Sequence, residues 1–381
     1  MKIILIANSF TKNMKEATNI TTLNYAKELQ KKGHDVVIIA EKRINLTSFE
    51  IVENIPIYRY KHNFGNIFAD KIIGIQKTLL QLQKRQFHPD IIHTFSSSMF
   101  LSLNGILAKK IFPKSKIIHT IKSESQYHYD KHFTFFLRFV DLITVATKKQ
   151  AQALIQKGIE KEKTRIISSH INLKKFRPLD QRKLQKKYGF SRKTASKIIL
   201  NYGAMREDKG TYDLFESIPA VVKEHPSVLY IFVCRWKKIE EWYLKFVQEH
   251  NLEKNVIIIT DDVNIEEYVN LADLAIFPYQ SLTRTESNPS CVLECLACKT
   301  PVITTDLEEL LEILKDQEDC IMIKPKDSNA LAAATLAFLK DTKSGDKIAE
   351  KGFKIAQHFA APKITQEMLQ EYQQLLDPYS S

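Results

Sequence analysis

Residues 285–294 read TESNPSCVLE and place Glu286 and Glu294 eight positions apart around a predicted helix start. Asn is a favoured N-cap and Pro a favoured first helical residue, so Asn288-Pro289 predicts a helix that continues to about Lys299. The amides at a helix start attract phosphate, and carboxylates bind sugar hydroxyls. The stretch therefore predicts a pocket for a nucleotide sugar.

The strands on either side of this helix support that interpretation. Apolar, strand-like runs lie before it at residues 273–278 and after it at 300–304. Ligands of open α/β sheets bind beyond the carboxyl ends of the strands, which is where this helix would begin. We expect the phosphates to be held there by the backbone amides of Ser290, Cys291 and Val292.

The whole chain alternates strand-like and helix-like segments, which predicts an α/β fold with mostly parallel sheets covered on both faces. The predicted strands are 2–7, 35–40, 55–60, 90–95, 116–121, 142–146, 165–169, 197–203, 228–234, 255–260, 273–278, 301–305 and 320–323. The predicted helices are 19–32, 69–86, 99–111, 131–139, 148–157, 209–224, 238–250, 264–271, 289–299, 327–340, 344–358 and 364–376. The polar, basic segment 177–196 is interpreted as a linker between two domains.

The spacing of the two glutamates resembles the E-x7-E signature of glycosyltransferase family 4, whose members are retaining enzymes with the GT-B fold. Similar family runs are matched along the chain by NYGAMREDKG at 201–210 (the family's G-x5-K-G), KKGHDV at 31–36, PDIIH at 89–93 and KFRP at 175–178. The resemblance implies two Rossmann-like domains that face a cleft. It also implies sugar transfer from a UDP- or GDP-sugar to a cell-surface glycan, lipid-linked or protein acceptor.

By the same resemblance, the first domain covers residues 1–180 and holds the acceptor, and the second covers 181–363 and binds the nucleotide sugar. The C-terminal segment 364–381 is expected to pack back on the first domain. Glu286 would contact the donor sugar, and Glu294 would accept hydrogen bonds from the ribose hydroxyls.

The charge of the leaving diphosphate must be stabilised by a metal ion or by fixed cations and amides. The chain lacks a D-x-D motif, so we expect a metal-independent reaction without a cofactor. Lys209 is the leading candidate for the cation, and Gly203 opens the motif that contains it.

The chain departs from the family pattern at two positions. Ala204 stands where the family has an arginine, so the missing diphosphate contact is assigned to Arg206 or Arg235, with an ordinary surface arginine as the alternative for each. Lys122 stands where the family has a catalytic histidine, and an ammonium donates hydrogen bonds but is a poor acceptor. These departures leave two alternatives open: a pseudo-enzyme that acts as a partner subunit, or a GT-B enzyme of another type, such as a sugar-nucleotide epimerase or phosphorylase.

The formal charge of +12 is unevenly spread. Residues 1–200 contain 37 Lys/Arg against 14 Asp/Glu (+23), and residues 201–381 contain 19 against 30 (−11). The basic half indicates either an anionic partner, such as a membrane surface or a lipid phosphate, or a lysine-rich composition that serves no partner. A nucleic acid ranks last because the sequence has no recognition motif for one. Helices 71–87 and 131–139 either pack on a sheet or meet the membrane.

Neither a signal-peptide pattern nor a membrane-spanning run occurs in the sequence, which predicts a cytoplasmic protein. Any contact with a membrane is expected to be peripheral and at its inner face. Cys291, Cys295 and Cys298 have the spacing of an iron–sulfur loop. On a helix, however, they share one face, which favours packing against a sheet over metal binding.

Overall fold

The computed structural model describes residues 1–9, 17–42, 46–61, 67–96, 99–123, 131–190, 196–234, 239–283 and 285–377. They form two compact units. The first contains residues 1–170, 283–288 and 361–381, and the second contains 171–282 and 289–360. Residues 171–180, expected in the first domain, lie in the second unit because Ile171 and Phe176 are buried in its core.

The first unit is an eight-stranded sheet with helices on both faces. Its strands are β1 (Lys2–Ser9), β2 (Asp35–Glu41), β3 (Phe49–Val52), β4 (Ile55–Tyr60), β5 (Ile91–Phe95), β6 (Lys116–Thr120), β7 (Leu142–Val145) and β8 (Thr164–Ile166). Its helices are α1 (Ala17–Lys31), α2 (Ile67–Lys84), α3 (Met99–Ala108), α4 (Lys131–Leu137), α5 (Lys148–Gln156) and α14 (Ala361–Leu376). The strand order is β3-β4-β2-β1-β5-β6-β7-β8, and all pairs are parallel except the β3–β4 hairpin.

The second unit is a six-stranded parallel sheet. Its strands are β9 (Lys197–Gly203), β10 (Val228–Cys234), β11 (Val256–Ile259), β12 (Leu274–Phe277), β13 (Val302–Thr305) and β14 (Ile321–Ile323). Its helices are α6 (Gln181–Lys187), α7 (Thr211–Glu224), α8 (Glu241–Glu249), α9 (Ile265–Leu271), α10 (Ser290–Ala297), α11 (Glu308–Leu311), α12 (Ser328–Lys340) and α13 (Thr342–Gln357). The strand order is β11-β10-β9-β12-β13-β14.

The strands read as continuous apolar runs because both faces of each sheet are covered. In β1, Ile3 and Leu5 are buried on one face, and Ile4 and Ile6 on the other. The C-terminal helix α14 belongs to the first unit and contacts α1. Its Tyr372 is fully buried there.

Three elements differ from the sequence prediction. The segment interpreted as a linker contains α6, whose start is capped by the Asp180 carboxylate and whose Leu184 is buried in the core of the second unit. The many charges of this segment obscured its few apolar residues, of which Leu184 is buried and Leu179, Tyr188 and Phe190 pack against the same core. Strand β3 was missed because its hairpin turns at Glu53 and Asn54, which have positive φ without a glycine. The four-residue helix α11 was also missed.

Candidate active site

The topological switch point of the second sheet lies between β9 and β12. From β9 the chain continues to β10 on one side, and from β12 it continues to β13 on the other. Connections that leave in opposite directions open a crevice beyond the carboxyl ends of the two strands. Gly203 ends β9 with φ 121°, and Pro278 and Tyr279 follow β12.

A tight turn after β9 positions Lys209. Gly210 has φ 67°, and a Cβ atom built on it would lie only 1.7 Å from the carbonyl oxygen of Pro278. The backbone amide of Gln280 donates to the carbonyl oxygen of Asp208 at 3.0 Å. Only glycine permits so close an approach with this φ, so the segment after β12 fixes the turn that carries Lys209.

The Lys209 ammonium lies over the ring of Tyr279, 4.8 Å from its centroid. The Tyr279 side chain is buried, and its backbone carbonyl accepts a hydrogen bond from Oγ1 of Thr305 at 2.8 Å. Burial raises the pKa of the Cys291 thiol to about 12; Glu294 adds to this shift and Lys209 opposes it. A fixed cation therefore lies within electrostatic reach of the second residue of α10.

Helix α10 begins one residue later than predicted. Its first residue is Ser290, and Pro289 occupies the N-cap position with φ −62° and ψ 116° and makes no side-chain cap. The Val292 amide, predicted to hold phosphate, donates to the Pro289 carbonyl at 3.2 Å and tightens the first turn, and its role at the phosphate stays a prediction. The amides of Ser290 and Cys291 stand at the open end of the helix, where helical geometry offers them no acceptor.

The Glu294 carboxylate is held by Tyr202, the residue before Gly203. The Tyr202 hydroxyl donates to Oε2 of Glu294 at 2.6 Å and lies 3.1 Å from the Cys291 carbonyl oxygen. Burial, and then the nearby Glu294 charge, raise the pKa of Tyr202 well above its ordinary value, so the phenol keeps its proton. A fixed carboxylate on the first turns of α10 suits a pair of ribose hydroxyls.

Of the two arginines expected to replace the missing diphosphate contact, the structure describes only Arg206. The Arg206 guanidinium makes two hydrogen bonds with the Asp208 carboxylate, at 2.7 and 2.6 Å. This pairing offsets its charge, and the expected phosphate contact of Arg206 stays a prediction. Arg235 lies outside the described residues.

A second group of polar side chains lies beyond β6 in the first unit. Ser123 forms an isolated antiparallel bridge with Glu286, and the neighbouring Lys122 is only 7% exposed. Burial lowers the pKa of Lys122, and the Glu286 charge opposes that shift. Burial, and then the charge of Lys122, lower the pKa of His170 to about 3.

Polar atoms in residues 286–288 are buried without hydrogen-bond partners among the described residues. They are both carboxylate oxygens of Glu286, the Ser287 hydroxyl and both amide atoms of Asn288. An unpaired buried carboxylate is costly, and such groups mark places where a ligand completes the hydrogen bonding. The arrangement can hold a hydroxylated substrate.

The cysteine face of α10 packs in the core of the second unit. Cys295 and Cys298 are buried, and burial raises the pKa of Cys298 to about 12, which disfavours a thiolate ligand. Across the described part of the chain, no group of three or more His, Cys, Asp or Glu side chains is placed to hold a metal ion.

Sequence reasoning missed Tyr202 and Tyr279. Both lie at carboxyl ends of strands that flank the switch point, Tyr202 in β9 and Tyr279 just after β12. Ligands of open α/β sheets bind at the carboxyl ends of the strands. Applying this rule to the ends of β9 and β12 together would have pointed to both tyrosines.

Comparisons with known proteins agree with the fold and with the resemblance. Residues 18–175 match the model of Glycosyltransferase Family 4, and residues 181–355 match that of Glycosyl transferases group 1. TuaC of Bacillus subtilis, a glycosyltransferase named for teichuronic acid biosynthesis, is 23% identical over 98% of both chains. CapM of Staphylococcus aureus, a capsular polysaccharide biosynthesis glycosyltransferase, is 22% identical over 91% of this chain and 92% of its own.

Among solved structures, HepE of Anabaena in complex with UDP and glucose superposes with a TM-score of 0.78 at 17% identity, covering 97% of this chain and 99% of its own. The two relatives named above are glycosyltransferases, so the comparisons do not favour a partner subunit, an epimerase or a phosphorylase. The chain belongs to glycosyltransferase family 4 and has the GT-B fold.

Proposed function

We propose that this chain is a retaining, metal-independent hexosyltransferase that moves a sugar from a UDP- or GDP-sugar to a cell-surface glycan, lipid-linked or protein acceptor. One observation carries the donor half of this proposal. At the start of α10, two open amides, the Lys209 ammonium and the Tyr202-held carboxylate of Glu294 lie together. An anion site next to a carboxylate is what a nucleoside diphosphate requires.

In this proposal Glu294 accepts hydrogen bonds from the ribose hydroxyls. The amides of Ser290 and Cys291 bind a phosphate of the diphosphate. Lys209 neutralises the negative charge that develops on the diphosphate when the anomeric C–O bond breaks. Because the Tyr279 ring and the Gly210 turn hold Lys209 in place, little reorganisation is needed during the reaction.

In this proposal Glu286 contacts the donor sugar and Lys122 contacts the substrate. Glu286, with both oxygens unpaired among described atoms, would bind the hydroxyls of the donor sugar and stabilise the positive charge at the anomeric carbon. Lys122 would donate hydrogen bonds to a hydroxyl or phosphate of the substrate. It is the residue most different from the family pattern.

UDP is favoured over GDP for the donor, because the HepE structures contain UDP or UDP-glucose. The +23 balance of residues 1–200 supports work at the cytoplasmic face of an anionic membrane. Among the described helices, none combines the length and apolar character needed to cross a membrane.

Two variants separate nucleotide binding from transfer. Glu294→Gln should raise the Kd for the nucleoside diphosphate about tenfold or more, because hydrogen bonds to a charged group are lost. Glu286→Gln should leave that Kd nearly unchanged and slow release of the diphosphate from the sugar nucleotide about 100-fold. Release would be measured with and without membranes as the acceptor source, and in EDTA to test the metal-independent route.

Glu249→Gln, on the exposed end of α8, is the matched control and should change neither quantity. Equal nucleotide affinity of Glu294→Gln and wild type would contradict the assignment of the donor site. Loss of release in EDTA would contradict the metal-independent route.

A further inference from the structure

Two phenylalanines on and after α4 expose an unusual amount of aromatic surface. Phe135 and Phe139 are each 52% exposed, although Leu137 between them is fully buried. They are four residues apart, so they lie on one face, and their ring centroids are 5.3 Å apart. The sequence left open whether this segment packs on the sheet. The structure shows that it does so only on its other face.

Two cations lie near the backbone of Phe139. The Arg138 guanidinium lies against Gly158, where a Cβ atom would be 2.9 Å from Nη2. The Lys163 ammonium donates to the Arg138 carbonyl oxygen at 3.2 Å. Ile155, near the end of α5, is also 38% exposed. Residues 131–166 contain eight Lys/Arg against three Asp/Glu.

We propose that Phe135 and Phe139, with the two nearby cations, form a surface that binds anionic lipid bilayers, and we call it the α4 surface. Phenylalanine rings enter the boundary between headgroups and acyl chains, while Lys and Arg bind lipid phosphates, so this combination fits an anionic bilayer. A purely apolar partner would not use the positive charge.

The α4 surface deepens the proposed function and rests on it in one respect, namely that a lipid-linked acceptor would be reached there. Strand β6 leads to Lys122 and Ser123, and the same connection continues to α4. Lys122, the proposed acceptor residue, and the α4 surface therefore belong to the same β6–α4 connection. Of the acceptor classes considered, this arrangement favours a lipid-linked one.

Vesicle sedimentation tests the proposal. Wild-type protein should bind vesicles of phosphatidylglycerol and phosphatidylcholine, and bind less as salt is raised, because exposed charges are screened. The double variant Phe135→Ser/Phe139→Ser should bind about tenfold or more weakly, since two half-exposed rings no longer enter the bilayer. Phe49→Ser is the matched control: Phe49 is 46% exposed on β3, at the edge of the same sheet farthest from β8, and its loss should leave binding unchanged.

A second measurement covers the case in which the double variant does not fold. Phe139→Trp should show a blue-shifted emission and quenching by brominated lipid when vesicles are added, and Phe49→Trp should not. Wild-type protein that stays in solution, or a double variant that binds as tightly as wild type, would overturn the proposal. A wild-type dimer that the double variant converts to a monomer, without vesicle binding in either, would assign the surface to a second copy instead.

The nucleotide-induced rise in Tm is measured on the same samples. If vesicle binding fails and the nucleotide response remains, the α4 surface is wrong and the transferase function stands. If the nucleotide response fails and vesicle binding remains, the transferase function is wrong and the α4 surface stands.

Discussion

Replacing Tyr279 with leucine should weaken binding of the nucleoside diphosphate, whereas replacing it with phenylalanine should not. The ring of Tyr279 lies 4.8 Å from the Lys209 ammonium and is only 3% exposed. We therefore regard Tyr279 as a positioning residue, which acts on the substrate through Lys209. Phenylalanine keeps the ring and its attraction for the cation, and leucine removes both.

The expected size of the effect follows from the strength of this contact. A cation–π interaction contributes about 0.5–1 kcal/mol at exposed sites and about 2 kcal/mol when desolvated. The buried ring and the partly buried lysine place this contact between those limits, at about 1–2 kcal/mol, which corresponds to a roughly 5- to 30-fold increase in Kd. Tyr279→Phe loses only the hydroxyl that bonds the Cys291 thiol, and its Kd should change by less than about threefold.

Isothermal titration with the diphosphate and with the matching free nucleoside provides the assay. Because Lys209 is assigned to phosphate, Tyr279→Leu should weaken diphosphate binding and spare the nucleoside. Equal weakening of both would indicate general damage to the pocket. An unchanged diphosphate affinity in Tyr279→Leu would refute the claim that the ring positions the cation.

Tyr202→Phe should instead weaken the diphosphate and the nucleoside alike, by about threefold or more, because Glu294 loses the donor at 2.6 Å; titration of both ligands shows whether only one is affected. Gly210→Ala should lower the free energy of unfolding by about 2 kcal/mol more than Gly189→Ala in urea melts. Both residues have positive φ, but only at Gly210 does the new Cβ meet a carbonyl oxygen; equal losses would contradict this. Because burial, with the Lys122 charge second, lowers the pKa of His170 to about 3, the unfolded chain takes up the proton first as the pH falls below 6.5. The free energy of unfolding of the wild type should therefore fall by about 2 kcal/mol more between pH 7 and pH 5 than that of His170→Gln. Identical dependence of the two unfolding free energies on pH would contradict this prediction.

The strands of the second sheet were largely readable from the sequence, since β9 and β10 have the predicted bounds. Buried parallel strands form unbroken apolar runs, which few other segments imitate. Elements anchored by one or two residues were not readable. Helix α6 depends on the Asp180 cap and on Leu184, and β3 depends on a hairpin turn without glycine.

The residues of the candidate site were found where a motif marked them, as at Lys209 and Glu294. Their supports, Tyr202 and Tyr279, come from other strands, and a linear pattern does not show which strand ends are neighbours. The helix starts one residue later than predicted, and the amide of Val292, which was expected to hold phosphate, donates to Pro289. Spacing predicts that a helix begins, but cap geometry decides which amides stay open.

Thermal unfolding of the purified protein with UDP, GDP, ADP and CDP, each beside its free nucleoside, tests the donor site most directly. One diphosphate at 100 times its Kd should add about 2.7 kcal/mol to the free energy of unfolding and raise Tm, and its nucleoside should do so far less. At the same concentration, the roughly tenfold or higher Kd of Glu294→Gln should cut this gain to about 1.4 kcal/mol or less. If none of the four diphosphates changes Tm, or if Glu294→Gln responds as wild type does, the donor site at the start of α10 is wrongly assigned.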